Sequence, residues 1–179
     1  PAYAVIPRET LSDITASALP FWQGARFWVL ARPLTGFAET FSQYIAEVQP
    51  GGGSELPETD AGAQAVLFIV EGEVTLLLDG SEHRMGPGGY AYLPAGAAWQ
   101  LWNRGEDAAR FHWLRKRYQA VEGLDAPEAF VTDEADVTHV DMPDTGGAWA
   151  TTRFVQPDDL RHDMHVNIVT LQPGAVIPF

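Results

Sequence analysis

An all-β chain closed into a sandwich or barrel is the fold this sequence predicts, and three observations carry that expectation. Between Arg26 and Arg117, short apolar and aromatic runs are separated by Gly, Pro and Asp turn signals at close spacing. Asp79-Gly80 stands between two such runs, and both residues tolerate the positive φ of a tight hairpin. No segment keeps a helical apolar period over a useful length, although Glu9 to Leu19 has room for a turn or two. Many short strands with this punctuation imply a sandwich or barrel.

Taken in order, Phe27 to Ala31 and Thr40 to Val48 read as the first two strands. Val66 to Val70 is a third, which Glu71-Gly72 turns into Val74 to Leu78. Beyond Asp79-Gly80, Ser81 to Met85 returns until Gly86-Pro87-Gly88-Gly89 breaks it. Tyr90 to Tyr92 has the aromatic bias of a short strand, Pro94-Ala95-Gly96 makes a turn, and Trp99 to Asn103 starts the next strand. The loop Arg104 to Asp107 precedes the strand Ala108 to Leu114. Tyr118 to Asp136 is acidic, contains Gly123 and Pro127, and reads as a connector leaving a completed barrel. A second β pattern then begins with Thr152 to Val155 and Asp163 to Leu171. It closes on Gln172-Pro173-Gly174, as Thr40 to Val48 closes on Gln49-Pro50-Gly51, and this points to an internal duplication. The expected organisation is a barrel over 1–117, a connector over 118–136 and the first strands of a second, incomplete barrel over 137–179.

Composition narrows the functional classes. Eleven basic residues against 24 acidic ones give a formal charge of -13, a surface that repels phosphate backbones, so nucleic-acid binding is not expected. No apolar run is long enough to span a bilayer and no basic-then-apolar leader opens the sequence, which makes a cytoplasmic protein the expectation. With no cysteine there are no disulfides and no thiolate metal ligands.

The residues that could carry chemistry are few. His83, His112 and His139 are isolated in sequence and read as ordinary surface or core histidines. His162 and His165, placed on a strand, would point to opposite faces and could not grip one ion together. His165 would then share a face with Asn167 and Val169 and is a candidate pocket residue. No nucleophile elbow, phosphate loop or zinc-protease motif is present, so no catalytic residue is assigned.

Gly88 to Asn103 fits the second cupin motif, G-x5-P-x-G-x2-H-x3-N, at every fixed position except one. At the metal-binding histidine this chain has Trp99, whose indole has an N–H donor but no lone pair for a cation. Counting back from Gly72 along the first cupin motif puts Glu58, Asp60 and Ala65 near its two histidine positions and its glutamate. Glu58 and Asp60 read as solvated loop carboxylates, with a hard-cation site as the alternative. No metal is expected in this barrel.

The order of features resembles a bicupin and, more narrowly, the (S)-ureidoglycine aminohydrolase family of allantoin breakdown. Phe41 to Gly52, Leu67 to Leu78, Gly88 to Asn103, Lys116 to Gly123 and Asp163 to Gly174 carry the resemblance. It implies a double-stranded β-helix, or jelly roll, whose N-terminal barrel is degenerate. It further implies a C-terminal barrel that binds Mn through a Glu-x-His-x3-His motif located beyond Phe179. The implied activity is hydrolysis of ureidoglycine, a small-molecule substrate, in a homo-oligomer. A non-catalytic cupin holding a small molecule among aromatics around Trp99, or another metal-dependent bicupin such as a dioxygenase, are the alternatives.

Overall fold

The computed structural model describes residues 5–32 and 40–177; Phe179 lies outside them. Nine strands form one antiparallel sheet: β1 (Gln23–Ala31), β2 (Phe41–Ser54), β3 (Ala63–Glu71), β4 (Val74–Leu78), β5 (Ser81–Met85), β6 (Gly89–Leu93), β7 (Trp99–Trp102), β8 (Ala109–Arg117) and β9 (Phe130–Asp133). Their order is β5-β4-β7-β2-β8-β3-β6-β9, with β1 also paired to β2. The sheet curls into a nearly closed jelly-roll barrel, because β2 is long enough to serve two places. Phe41 to Val48 pairs with β8, while Gly53 and Ser54 pair with β7. The all-β expectation holds, and short 3-10 turns at Arg8–Thr10 and Asp13–Thr15 fall inside Glu9 to Leu19 and just before it. No helix among the described residues is long and apolar enough to cross a membrane.

Alternation decides what fills the barrel. Ala109, Phe111 and Trp113 of β8 point inward, whereas Arg110, His112 and Leu114 are only half-buried on the outer face. Ala65, Leu67 and Ile69 from β3, Leu76 from β4 and Leu101 from β7 meet them in one continuous core. Where β2 crosses onto β7, a Cβ on Gly53 would lie 2.2 Å from the Leu101 carbonyl oxygen, so only glycine fits.

Asn103 explains the last position of the Gly88 to Asn103 motif in physical terms. Its fully buried amide donates to the Val48 and Asp107 carbonyls, each at 2.8 Å, and its oxygen accepts from the Gly105 N–H at 2.9 Å. One side chain therefore ties β2 to the loop between β7 and β8. Asn103→Ala should lower the unfolding free energy by roughly 2–3 kcal/mol, because buried carbonyls lose their donors. Urea denaturation measures this, and a loss below about 0.5 kcal/mol would contradict the assignment.

Two expectations are corrected. The acidic segment read as a connector contains β9, which pairs with β6 in the barrel sheet. Phe130 drives this pairing, stacking 5.8 Å from both Tyr90 and Tyr92, and composition alone concealed it. The later strands are also displaced. A separate three-stranded sheet comprises β10 (His139–Asp141), β11 (Trp149–Arg153) and β12 (Asn167–Leu171), so Asp163 to Val166 is not strand.

That non-strand segment is held against the barrel. Phe154 stacks on Tyr90 at 3.9 Å and 8°, and Met164 and Val166 pack on the same outer cluster around Val66. Asp163 pairs with Lys116 and accepts from the Gln64 amide and, at 2.9 Å, from the Gln119 N–H. Tyr92 donates to the other side of Gln64 at 2.8 Å. Burial pushes the Asp163 carboxyl up, but Lys116, Gln64 and Gln119 outweigh it and hold it below the usual range. A carboxyl lowered in the folded state stabilises above its unfolded pKa of about 4, and that contribution is lost as pH falls through the folded value. The stability gap between the parent and Asp163→Asn should therefore be constant from pH 7 to about 5 and shrink below about 4. Urea midpoints across that range check it; a gap that does not narrow contradicts it.

Candidate functional site

The interior of the barrel holds Trp99 and Ala65, and aromatic rings occupy it. Trp99 opens β7 with its side chain 8% exposed. Its ring meets Trp113 edge-on, at 6.1 Å and 81°. Trp113 also touches Trp22 at 5.7 Å, Phe27 at 6.1 Å and Tyr44 at 5.5 Å. Such pairs add to the burial of large apolar surface, so the cluster is a packing core. Trp99 is a member of it, as its chemistry suggested. Ala65 is buried in β3, in register with Leu93 on one side and Arg115 on the other, and contributes no donor atom.

Glu58 and Asp60 depart from the expectation of solvated carboxylates. Arg115 Nε donates to Glu58 Oε2 at 2.6 Å and its Nη2 donates to Oε1 at 2.7 Å. Oε1 also accepts from the Thr59 and Asp60 N–H groups at 3.0 and 2.8 Å, and the side chain is only 11% exposed. Asp60 pairs with Arg117 at 3.0 Å and caps the turn through the Gly62 N–H. Each acid is committed to its own arginine because the end of β8 carries Arg115 and Arg117 beside the 55–62 loop. Burial opposes the charge on Arg115, but the Glu58 hydrogen bonds outweigh it and leave the guanidinium held more firmly cationic than usual.

These residues do not fit Mn. A divalent ion needs several oxygen or imidazole donors on one centre, whereas here an indole, a methyl group and an arginine-saturated carboxylate stand at the motif positions. Among the described residues no group of three or more His, Asp or Glu side chains gathers to hold an ion.

Beside the core a cavity of about 180 Å³ opens at the barrel mouth, walled by Trp22, Tyr44 and Trp113 with Glu58 and Arg115 at its polar end. The sequence reading missed this constellation, placing its aromatic pocket at Trp99 instead. The signal available was Arg115-Lys116-Arg117, the chain's basic cluster, every member of which has a carboxylate partner.

The histidines also differ from expectation. His162 and His165 lie in the loop before β12 with ring centroids 6.3 Å apart, so the opposite-face argument does not apply to them. His162 packs edge-on to Tyr92 at 4.6 Å, with its Nδ1 buried and without a partner among the described residues. His165 is exposed and does not share a strand face with Asn167 and Val169. His112 faces outward from β8, while His83 is half-buried and His139 exposed.

Comparison with known proteins agrees with this geometry. The cupin domain profile matches residues 44–115, the stretch from mid-β2 to the end of the aromatic core. A crystal structure of a Pseudomonas aeruginosa protein named as glyoxylate-induced superposes with a TM-score of 0.93 at 60% identity. It covers 99% of this chain and 67% of that one. The chain belongs to the same family as that protein, and its 44–115 stretch matches the cupin domain. Escherichia coli (S)-ureidoglycine aminohydrolase is 22% identical over 166 residues, 93% of this chain, and the chain spans 62% of that enzyme's length. The Escherichia coli protein Ylba has the same fold, with a TM-score of 0.77 at 22% identity over 89% of this chain.

In this cupin a single histidine should not restore metal binding. Trp99→His would add one imidazole while Ala65 and the Arg115-bound Glu58 still supply no free donor. Calorimetric titration with Mn should show no added site of micromolar affinity; an added tight equivalent would overturn the alignment of these positions.

Proposed function

We propose that this chain is the ligand-poor barrel of a bicupin aminohydrolase that converts (S)-ureidoglycine and water to (S)-ureidoglycolate and ammonia. The observation carrying the reading is the alignment with ureidoglycine aminohydrolase along 93% of the chain, through both β sheets. In the reaction water forms a C–O bond at the substrate carbon, the C–N bond to the amine breaks, and ammonia departs with the proton. Ureidoglycine is chemically an adduct of glyoxylate with urea and ammonia. The name of the Pseudomonas relative, a glyoxylate-induced protein, is consistent with such a substrate.

Mn, on this reading, belongs to a second barrel, where it would bind the substrate and polarise it. Residues of the first barrel do not fit Mn and would take no part in holding it. What this chain supplies is support. Tyr90, Tyr92 and Phe130 form a platform on which Phe154 and the Asp163 segment sit, fixing the approach to β12. Duplication also finds support in a left-handed glycine after each Gln-Pro pair, with φ of 75° at Gly51 and 81° at Gly174. A cytoplasmic homo-oligomer completes the proposal.

The barrel-mouth cavity favours a second reading, a cupin that binds a small molecule without metal, with Trp22, Tyr44 and Trp113 as its walls. One assay separates the two. Purified natural-length protein should release ammonia from (S)-ureidoglycine, lose that activity on chelation and regain it with Mn. Absence of ammonia release with Mn supplied would overturn the aminohydrolase assignment.

A further inference from the structure

We propose that the cavity on the outer face of the barrel, over β1, β2 and β8, binds a small carboxylate with an aromatic or branched aliphatic body. It encloses about 320 Å³, within the range of small-molecule sites. Trp28 of β1, Ile45 of β2 and Val70 of β3 form its apolar walls, and Leu11 of the N-terminal segment folds over one side. Val70 remains 44% exposed there, an apolar side chain with no protein cover. The floor is His112, whose outward position on β8 the barrel alternation dictates.

The polar groups of this cavity are donors in surplus. Arg110 is fixed by Glu47 at 2.7 Å through Nε and by Glu71 at 3.2 Å through Nη1, which leaves Nη2 without a partner among the described residues. Glu47 is 2% exposed and is shared with Arg26 and the Gln49 amide, so its negative charge is already consumed in holding the two arginines. Arg8 also lines the cavity, and no carboxylate among the described residues pairs with it. Glu71 is the acid at the rim, half-exposed and turned to Arg110. Gln43 places its amide nitrogen 3.4 Å from His112 Nδ1, and burial favours the neutral imidazole, so His112 adds no positive charge of its own. Two guanidinium groups with unused N–H donors beside an indole wall match a carboxylate joined to a flat apolar group.

Phenylacetate is a suitable probe, with its neutral amide, phenylacetamide, as the control. Heteronuclear NMR of the intact protein should show the Trp28 indole N–H shifting on titration with phenylacetate, with a Kd on the order of a millimolar for a ligand of this size. Phenylacetamide should bind roughly tenfold more weakly, as should phenylacetate to Arg8→Gln. Val70→Trp, at an exposed position that tolerates substitution, should fill the mouth and abolish the shift. Equal binding of acid and amide, or binding untouched by both variants, would overturn the proposal. So would a Trp28 signal that moves with protein concentration and ignores the carboxylate, which would mark a contact between copies of the chain. None of these outcomes depends on ammonia release, so the site and the aminohydrolase reading fail separately.

Discussion

A β-sheet curled into a barrel must fill its own interior, and every other feature of this chain follows from what fills it. Interior positions are tightly packed in folded proteins, and an unfilled volume costs the lining its contacts. Here Trp113 sits at the centre of four aromatic neighbours, one of them Trp99. An indole is large enough to occupy space that imidazole, metal and substrate would otherwise share. Packing takes the volume at this position, and the residues standing there offer no donor to a metal ion.

With the interior occupied, the polar and charged networks lie on the outer surface. One outer face, over β3 and β6, carries the aromatic platform and the Gln64, Lys116 and Asp163 network that hold residues 154–166. Buried charge of this kind is worth little unless all partners remain in place, which makes the network a device for fixing position more than a source of stability. Another outer face, over β1, β2 and β8, carries the Arg26, Glu47 and Arg110 chain. Both faces follow from strand alternation, since the residues beside an inward Ala46 or Phe111 must point outward.

Legibility in the sequence tracked how local the cause was. Strands bounded by tight turns, such as Val74 to Leu78 and Ser81 to Met85 around Asp79-Gly80, match the structure residue for residue. Trp99 is readable as packing because an indole has no lone pair with which to ligate a metal ion. By contrast, β9 was hidden, because Phe130 stacks on tyrosines some forty residues earlier. Glu58 looked solvated because its partner, Arg115, is 57 positions away, across the barrel. Asp163 reads as strand in sequence, but its carboxylate is taken by Lys116 and Gln64. Long-range pairing is the part that spacing and composition do not encode.

The measurement that tests the central claim most directly is anomalous diffraction at the Mn absorption edge from crystals of the natural-length protein grown with Mn. The account predicts that no anomalous peak falls inside the barrel formed by β1 to β8, with Trp99 and Trp113 in contact there. A peak bound near Trp99, Ala65 or Glu58, with the indole displaced, would contradict it.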